Sequence, residues 1–314
     1  MMPARLELTL IHPDSKEQYP ARLYSAARAI FGAEPDVRGP LFEAFAVAPL
    51  TAGAPGRFRW ELGWICSAPP PSMPGSVRFG HVECRVLDVR VVERSFADLA
   101  AGPPVGSVEL DVISPLYFSR EGRDHPLPDP VLIVQSLLRR WNAFAPPELT
   151  IDRVTAKALL GSVRVTGMAG ATPRTNLTLT TEQIGFVGQV RLAVEPGVDA
   201  AVTRALRTLA EFAPISGIGA QTTHGFGACR MRSAWAGREP ARRLAARGGA
   251  HEWRSPELLP LPKPVSAETR QKPVAAESAA AGLDRLLAPA LRADGGRHSA
   301  MTGTRPSRWT FRVP

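Results

Sequence analysis

The stretch DPVLIVQSLLRRWNAFAPP, residues 129–147, reads as a complete helix with both ends marked. Asp129 is a carboxylate N-cap, and Pro130 takes the first helical position, where a missing N–H costs nothing. Val131, Val134, Leu137, Leu138, Trp141 and Phe144 recur at helical spacing and line one side. Pro146-Pro147 stops the run. Outward from this helix, Val108 to Phe118 precedes it as a strand. Strands are expected after it at about Thr150–Lys157, Ser162–Gly167, Arg174–Thr181 and Gly185–Glu195. A second helix from about Val198 to Phe212 leads through a glycine-rich loop to a last strand, Gly225 to Arg232. Strand–helix–strand–strand–helix–strand is the ferredoxin-like order.

The first hundred residues repeat that order less legibly. Leu6, Leu8 and Leu10 alternate as a strand, and Leu23, Ala26, Ala27 and Ile30 share one helical face before Gly32. Strands are expected at Leu41–Ala48, at Phe58–Cys66 and, as one continuous strand, at Val77–Glu93; no second helix is evident. Ala101-Gly102-Pro103-Pro104 reads as a linker. The fold class is therefore α+β: two tandem ferredoxin-like domains of the RRM-like kind, over residues 1–102 and 103–235. Residues 236–314 form a basic, Pro/Ala-rich extension, in which Leu283, Leu286, Leu287 and Leu291 suit one short helix.

The chain has 314 residues and a net charge of +9, with 38 Lys+Arg against 29 Asp+Glu. Only Lys16, Lys157, Lys263 and Lys272 are lysines; the other cations are arginines. A GC-rich genome inflates Arg, Ala, Gly and Pro together, so the balance alone does not establish a polyanionic partner. Its distribution is more telling, because Arg230, Arg232, Arg238, Arg242, Arg243 and Arg247 crowd together against one acid, Glu239. Arginine's planar fork suits phosphate, and its face stacks on bases. Arg139 and Arg140 add two cations expected to point off the apolar face of the first-described helix. Cys66, Cys84 and Cys229 form no metal or disulfide pattern, and no histidine pair has metal-ligand spacing, so no metal and no cofactor are expected. No apolar window reaches the roughly 18 residues of a membrane span; a cytoplasmic protein with no membrane partner is expected.

The most specific string is Gly217-Ile218-Gly219-Ala220-Gln221-Thr222-Thr223-His224-Gly225-Phe226-Gly227. Thr222 stands where a dinucleotide fingerprint needs its third glycine, and no Gly-Lys-Ser/Thr follows, which sets aside nucleotide-binding loops. Gly217, Gly219 and Gly225 are expected to let the backbone approach a ligand and expose its N–H groups. Thr222, Thr223 and His224 add donors suited to phosphate or a 2′-hydroxyl. This loop resembles the glycine-rich signature of the CRISPR-associated endoribonucleases that cut precursor guide RNA within its repeats, the sixth numbered Cas family of the RAMP superfamily. Gly185-Phe186-Val187-Gly188-Gln189-Val190, Ser114-Pro115-Leu116-Tyr117-Phe118 and Phe45-Ala46-Val47-Ala48-Pro49-Leu50 agree with it.

The resemblance implies an antiviral-defence enzyme that binds the CRISPR repeat hairpin. It also implies metal-independent cleavage by the substrate's own 2′-hydroxyl, giving a 2′,3′-cyclic phosphate and a 5′-hydroxyl, with the mature crRNA retained. Other Cas subunits are implied as further partners. Many members use a histidine shortly after helix one, with a tyrosine on that helix and a nearby cation. Tyr24 matches the tyrosine and Arg38 lies where the cation is expected, but no histidine stands between His12 and His81. Arginine is too weak a base, with a pKa above about 12. An arginine-based site would therefore work by positioning and electrostatics, an arrangement for which divergent branches such as the type IV variant are candidates. The catalytic candidates are Arg22, Tyr24, Arg38 and Arg242. Those for RNA contact are Gly217, Gly219, Thr222, Thr223, His224, Gly225, Arg230, Arg232, Arg238, Arg243, Arg139 and Arg140. The alternative is a non-catalytic RAMP subunit that packages crRNA in an effector complex.

Overall fold

The computed structural model describes residues 2–11, 20–32, 43–66, 68–177 and 181–235. The first sheet belongs to β1 (Ala4–Ile11), β2 (Phe45–Val47), β3 (Thr51–Ala52), β4 (Arg57–Trp64), β5 (Ser76–Phe79) and β6 (Val82–Glu93), with helix α1 (Pro20–Phe31) between β1 and β2. Its order is β2-β4-β1-β6-β5, with β3 beside β4. Leu6, Leu8 and Leu10 fill the core face of β1, and α1 covers them with Leu23, Ala26, Ala27 and Ile30. The period-2 and helical patterns in the sequence thus meet in one core.

After α2 (Phe96–Ala100) come β7 (Ser107–Leu116), the hairpin of β8 (Phe118–Arg120) and β9 (Arg123–His125), and α3 (Pro130–Phe144). Then follow α4 (Arg153–Ser162), β10 (Val163–Ala171), the hairpin of β11 (Arg174–Asn176) and β12 (Glu182–Ile184), β13 (Phe186–Val194), α5 (Ala200–Ser216) and β14 (Cys229–Trp235). The second sheet runs β10-β13-β7-β14 and is antiparallel throughout. In both sheets the first strand lies inside, β1 between β4 and β6 and β7 between β13 and β14; the core order β2-β4-β1-β6 matches β10-β13-β7-β14, the ferredoxin-like order, with β5 added at the edge of the first sheet. Asp129 caps α3 as its sequence predicts, its side chain accepting from the N–H of Leu132 at 2.9 Å.

Several segments differ from the sequence reading, three of them for a local reason. Thr150–Lys157 is not a strand, because Asp152 accepts hydrogen bonds from the N–H groups of Val154 (2.8 Å) and Thr155 (3.0 Å) and starts α4. A cap outweighs the β-branched content there. Val77–Glu93 is not one strand but the β5–β6 hairpin, turned at Gly80, whose φ is +65°. Helix α2 was not expected; Ser95 and Asp98 form its capping box. The linker at 101–104 therefore follows a short helix.

The two sheets pack into one unit rather than two loosely joined ones. Helix α5 lies against β4, β1 and β2 of the first sheet as well as β7 and β14 of its own. The approach is close at Gly63, where a Cβ would stand 1.7 Å from the carbonyl oxygen of Ile215. Arg94 reaches Glu211 at 2.6 Å and Arg230 reaches Glu61 at 2.6 Å, tying the sheets at two further points. No helix among the described residues is long and apolar enough to cross a membrane. The C-terminal extension, with its expected helix, lies outside the described residues.

Candidate active site

The glycine-rich loop carries α5 into β14, and most of its polar backbone is occupied within the protein. The N–H of Ile218 donates to Gly227 O (2.9 Å), that of Gly219 to Ser136 Oγ (2.8 Å) and that of Ala220 to Tyr117 O (2.9 Å). The N–H groups of Gly227 and Ala228 donate to Pro115 O (2.9 Å) and Ser114 Oγ (2.8 Å). These donors are spent on the α3 and β7 side of the fold, which corrects the expectation of an exposed row of N–H groups. The glycines serve close packing: a Cβ at Gly219 would stand 2.4 Å from Tyr117 O, and one at Gly227 1.8 Å from Ile218 O. Both have positive φ, +82° and +62°.

Arg140 completes this support. Its guanidinium donates to Ser216 O at the end of α5 and to Gly219 O, the latter at 3.4 Å. Burial pushes its pKa down to about 10, so it remains charged at neutral pH. Arg140 thus faces inward and holds the loop, whereas its neighbour Arg139 is exposed. A turn of about 100° per residue separates the two roles.

The loop's tip, a single 3-10 turn over Thr222–His224, seats on α1 and β2 of the first domain. The His224 ring stacks on Tyr24 with centroids 4.3 Å apart and planes at 10°. Tyr24 also lies near Phe45 of β2, at 6.2 Å and 25°. Arg28, one turn further along α1, donates from Nη1 to Tyr24 Oη at 2.7 Å, and that hydroxyl donates to Glu43 Oε1 at 3.2 Å. Arg28 Nη1 and Glu43 Oε1 are 3.8 Å apart. On the other side of the stack, Thr223 Oγ1 is 3.0 Å from His224 Nδ1. Partial burial lowers the His224 pKa, so its imidazole is neutral at neutral pH. A neutral imidazole, a phenol and a guanidinium therefore converge at the edge between the two sheets. That set can accept a proton and neutralise an anion.

The remaining candidates are distributed differently. Arg22 is on α1 but turns toward the β5–β6 hairpin, its Nε 3.0 Å from where a Gly80 Cβ would sit. Tyr24 faces β2, and β2 and β5 are opposite edges of the sheet, so Arg22 and Tyr24 do not converge. Thr222 is buried, its Oγ1 without a hydrogen-bond partner among the described residues, so it is not placed for a phosphate. Arg230 pairs with Glu61 at 2.6 Å. Arg232 lies 3.6 Å from Glu109, which Arg191 also meets at 3.0 Å. Arg38, Arg238, Arg242, Arg243 and His12 lie outside the described residues. Sequence reasoning passed over Arg28 and Glu43. The four-residue spacing of Tyr24 and Arg28 on a helix was the available signal for the first. Among the described residues no three His, Cys, Asp or Glu side chains gather as a metal site.

Comparison with known proteins bears on the fold. The family described as CRISPR-associated endoribonuclease Cas6 matches residues 110–229, the span from β7 to the start of β14. No curated protein sequence matches the chain. Among solved structures, the Cas6 (TTHA0078) product complex superposes with a TM-score of 0.63 at 27% identity, covering 74% of this chain and 100% of that one. A substrate mimic complex of Cas6 (TTHA0078) gives 0.61 at 27%, covering 74% and 99%. The Cas6 (TTHB231) product complex gives 0.60 at 21%, covering 73% and 99%, and supports the fold. The family match across the glycine loop, joined to a tandem fold shared over whole Cas6 chains, makes this protein similar to the Cas6 endoribonucleases.

Proposed function

We propose that this protein cuts precursor CRISPR RNA within its repeats, at the junction where α1 meets the glycine loop, and keeps the mature crRNA. The substrate's 2′-oxygen attacks the adjacent phosphorus while the P–O5′ bond breaks, leaving a 2′,3′-cyclic phosphate and a 5′-hydroxyl without a metal ion. Negative charge builds on the phosphorane oxygens, and Arg28, held by Tyr24 and Glu43 with its guanidinium 5.9 Å from the Tyr24 ring, is the described cation proposed to meet it. Arg38 and Arg242 are proposed as further cations for that charge. Arg139 is exposed on α3 and suits a phosphate of the repeat stem. Retention follows from a basic chain making many phosphate contacts, which releases RNA slowly at low salt.

The observation that carries this reading is the stacking of His224 on Tyr24. It joins the loop of one ferredoxin-like domain to the helix of the other in a fold shared with Cas6 product and substrate-mimic complexes. The test is incubation of the purified protein with its cognate repeat RNA in EDTA, followed by analysis of the product ends. One cut with a 2′,3′-cyclic phosphate is expected. Tight binding with the RNA left intact would make the protein a packaging subunit instead.

A further inference from the structure

No histidine occurs between His12 and His81, so the segment after α1 supplies no imidazole to the site. The structure brings one from the other domain. We propose that His224, carried on the glycine loop, is the general base of this enzyme, and that Thr223 fixes its working tautomer. This rests on the cleavage reading above and adds to it the identity and origin of the base.

Three observations support the assignment. The ring is held flat against Tyr24 at 4.3 Å, so its plane is set by α1 rather than by its own backbone. Nδ1 is engaged with Thr223 Oγ1 at 3.0 Å, while Nε2 makes no hydrogen bond to any described residue. The proposed tautomer is the one in which Nδ1–H donates to the threonine hydroxyl, which leaves the lone pair on Nε2. Burial keeps the imidazole neutral, the form that accepts a proton. Among the described residues, the titratable groups linked to the ring are Tyr24, stacked on it, and, through the Tyr24 hydroxyl, Arg28 and Glu43. In the step itself, Nε2 takes the 2′-hydroxyl proton as the 2′-O–P bond forms. The P–O5′ bond then breaks, and the departing O5′ takes a proton from water. Imidazolium and hydroxide recombine, restoring the neutral ring.

The experiment is single-turnover cleavage of the cognate repeat RNA in EDTA, with enzyme in excess, by the wild type, His224→Ala, His224→Asn and Thr223→Val. His224→Ala is expected to lower the rate constant about 10²–10⁴-fold, with RNA binding held within roughly threefold in a salt-matched titration. Added imidazole restores part of the rate to His224→Ala, and the acid limb of the wild-type pH–rate profile disappears in that variant. His224→Asn keeps a polar partner for Thr223 and supplies the same reading if the alanine variant is unstable. Thr223→Val is expected to slow cleavage by about 10-fold, within the range of one tuned acid–base contact. Cleavage by His224→Ala and His224→Asn within about threefold of wild type, or losses matched by equal losses in binding, overturns the assignment while leaving the cleavage reading intact. A wild type that binds but never cuts overturns both.

Discussion

Replacing Gly227 by Ala tests how the loop positions His224. The new Cβ would stand 1.8 Å from Ile218 O and 2.9 Å from its carbonyl carbon. An unstrained C···O contact is about 3.3 Å or more, so the two loop strands must part by roughly 1.5 Å. That separation strains the 2.9 Å bond from Ile218 N–H to Gly227 O, worth about 1 kcal/mol. An alanine held at the positive φ of +62° costs about 1–2 kcal/mol more. A total of about 2–3 kcal/mol corresponds to a fall in Tm of roughly 5–10 °C for a body of this size. His224 lies three residues upstream, and a displacement of about 1 Å at a reacting group is enough for a 10²-fold loss. Thermal unfolding and single-turnover cleavage of the repeat RNA, run well below the lowered Tm, separate the two effects. A variant that melts at the lower temperature yet cuts at the wild-type rate would show that the loop does not set the position of the chemistry.

Other consequences can be measured with the same assays. Arg140→Met removes the donors to Ser216 O and Gly219 O and should cost about 2–4 kcal/mol in denaturant unfolding, as two acceptors are left unpaired. Arg140→Lys should recover only part of that, since an ammonium lacks the fork that spans both carbonyls. Arg139→Ala should leave Tm unchanged but weaken RNA binding and reduce the salt slope by about one phosphate contact in anisotropy titrations. The cleavage rate should fall as pH drops through the His224 pKa. Burial lowers that pKa, so the acid limb should lie below the ordinary histidine value of about 6.5.

The parts of the fold legible in the sequence were those whose signal is local. The N-cap and proline at Asp129-Pro130 and the alternation of Leu6, Leu8 and Leu10 each report a bonding pattern within a few residues. The misreadings came from competition between local signals. β-Branched residues around Thr150–Val154 suggested a strand, but Asp152 capped a helix. The site was less legible for a different reason. Tyr24 and His224 lie two hundred residues apart, and only the packing of one domain's loop on the other's helix makes them neighbours. In sequence the loop's glycines suit an open cradle for phosphate equally well, because a sequence does not reveal whether positive φ serves a ligand or a close approach to Tyr117 O and Ile218 O. Arg139 and Arg140 look alike in a charge count, yet one helical step turns the second inward.

The proposal that RNA is cut where Tyr24 and His224 meet rests on the stacking of their rings. Its most direct test is a crystal structure with the repeat RNA blocked by a 2′-deoxy sugar on the 5′ side of the scissile phosphate. The 2′-carbon should lie facing His224 Nε2, at a distance that places a restored hydroxyl within about 3 Å of it, with Arg28 toward the phosphate oxygens. A scissile phosphate seated elsewhere, for example along Arg230 and Arg232 with the Tyr24–His224 stack untouched by RNA, would contradict it.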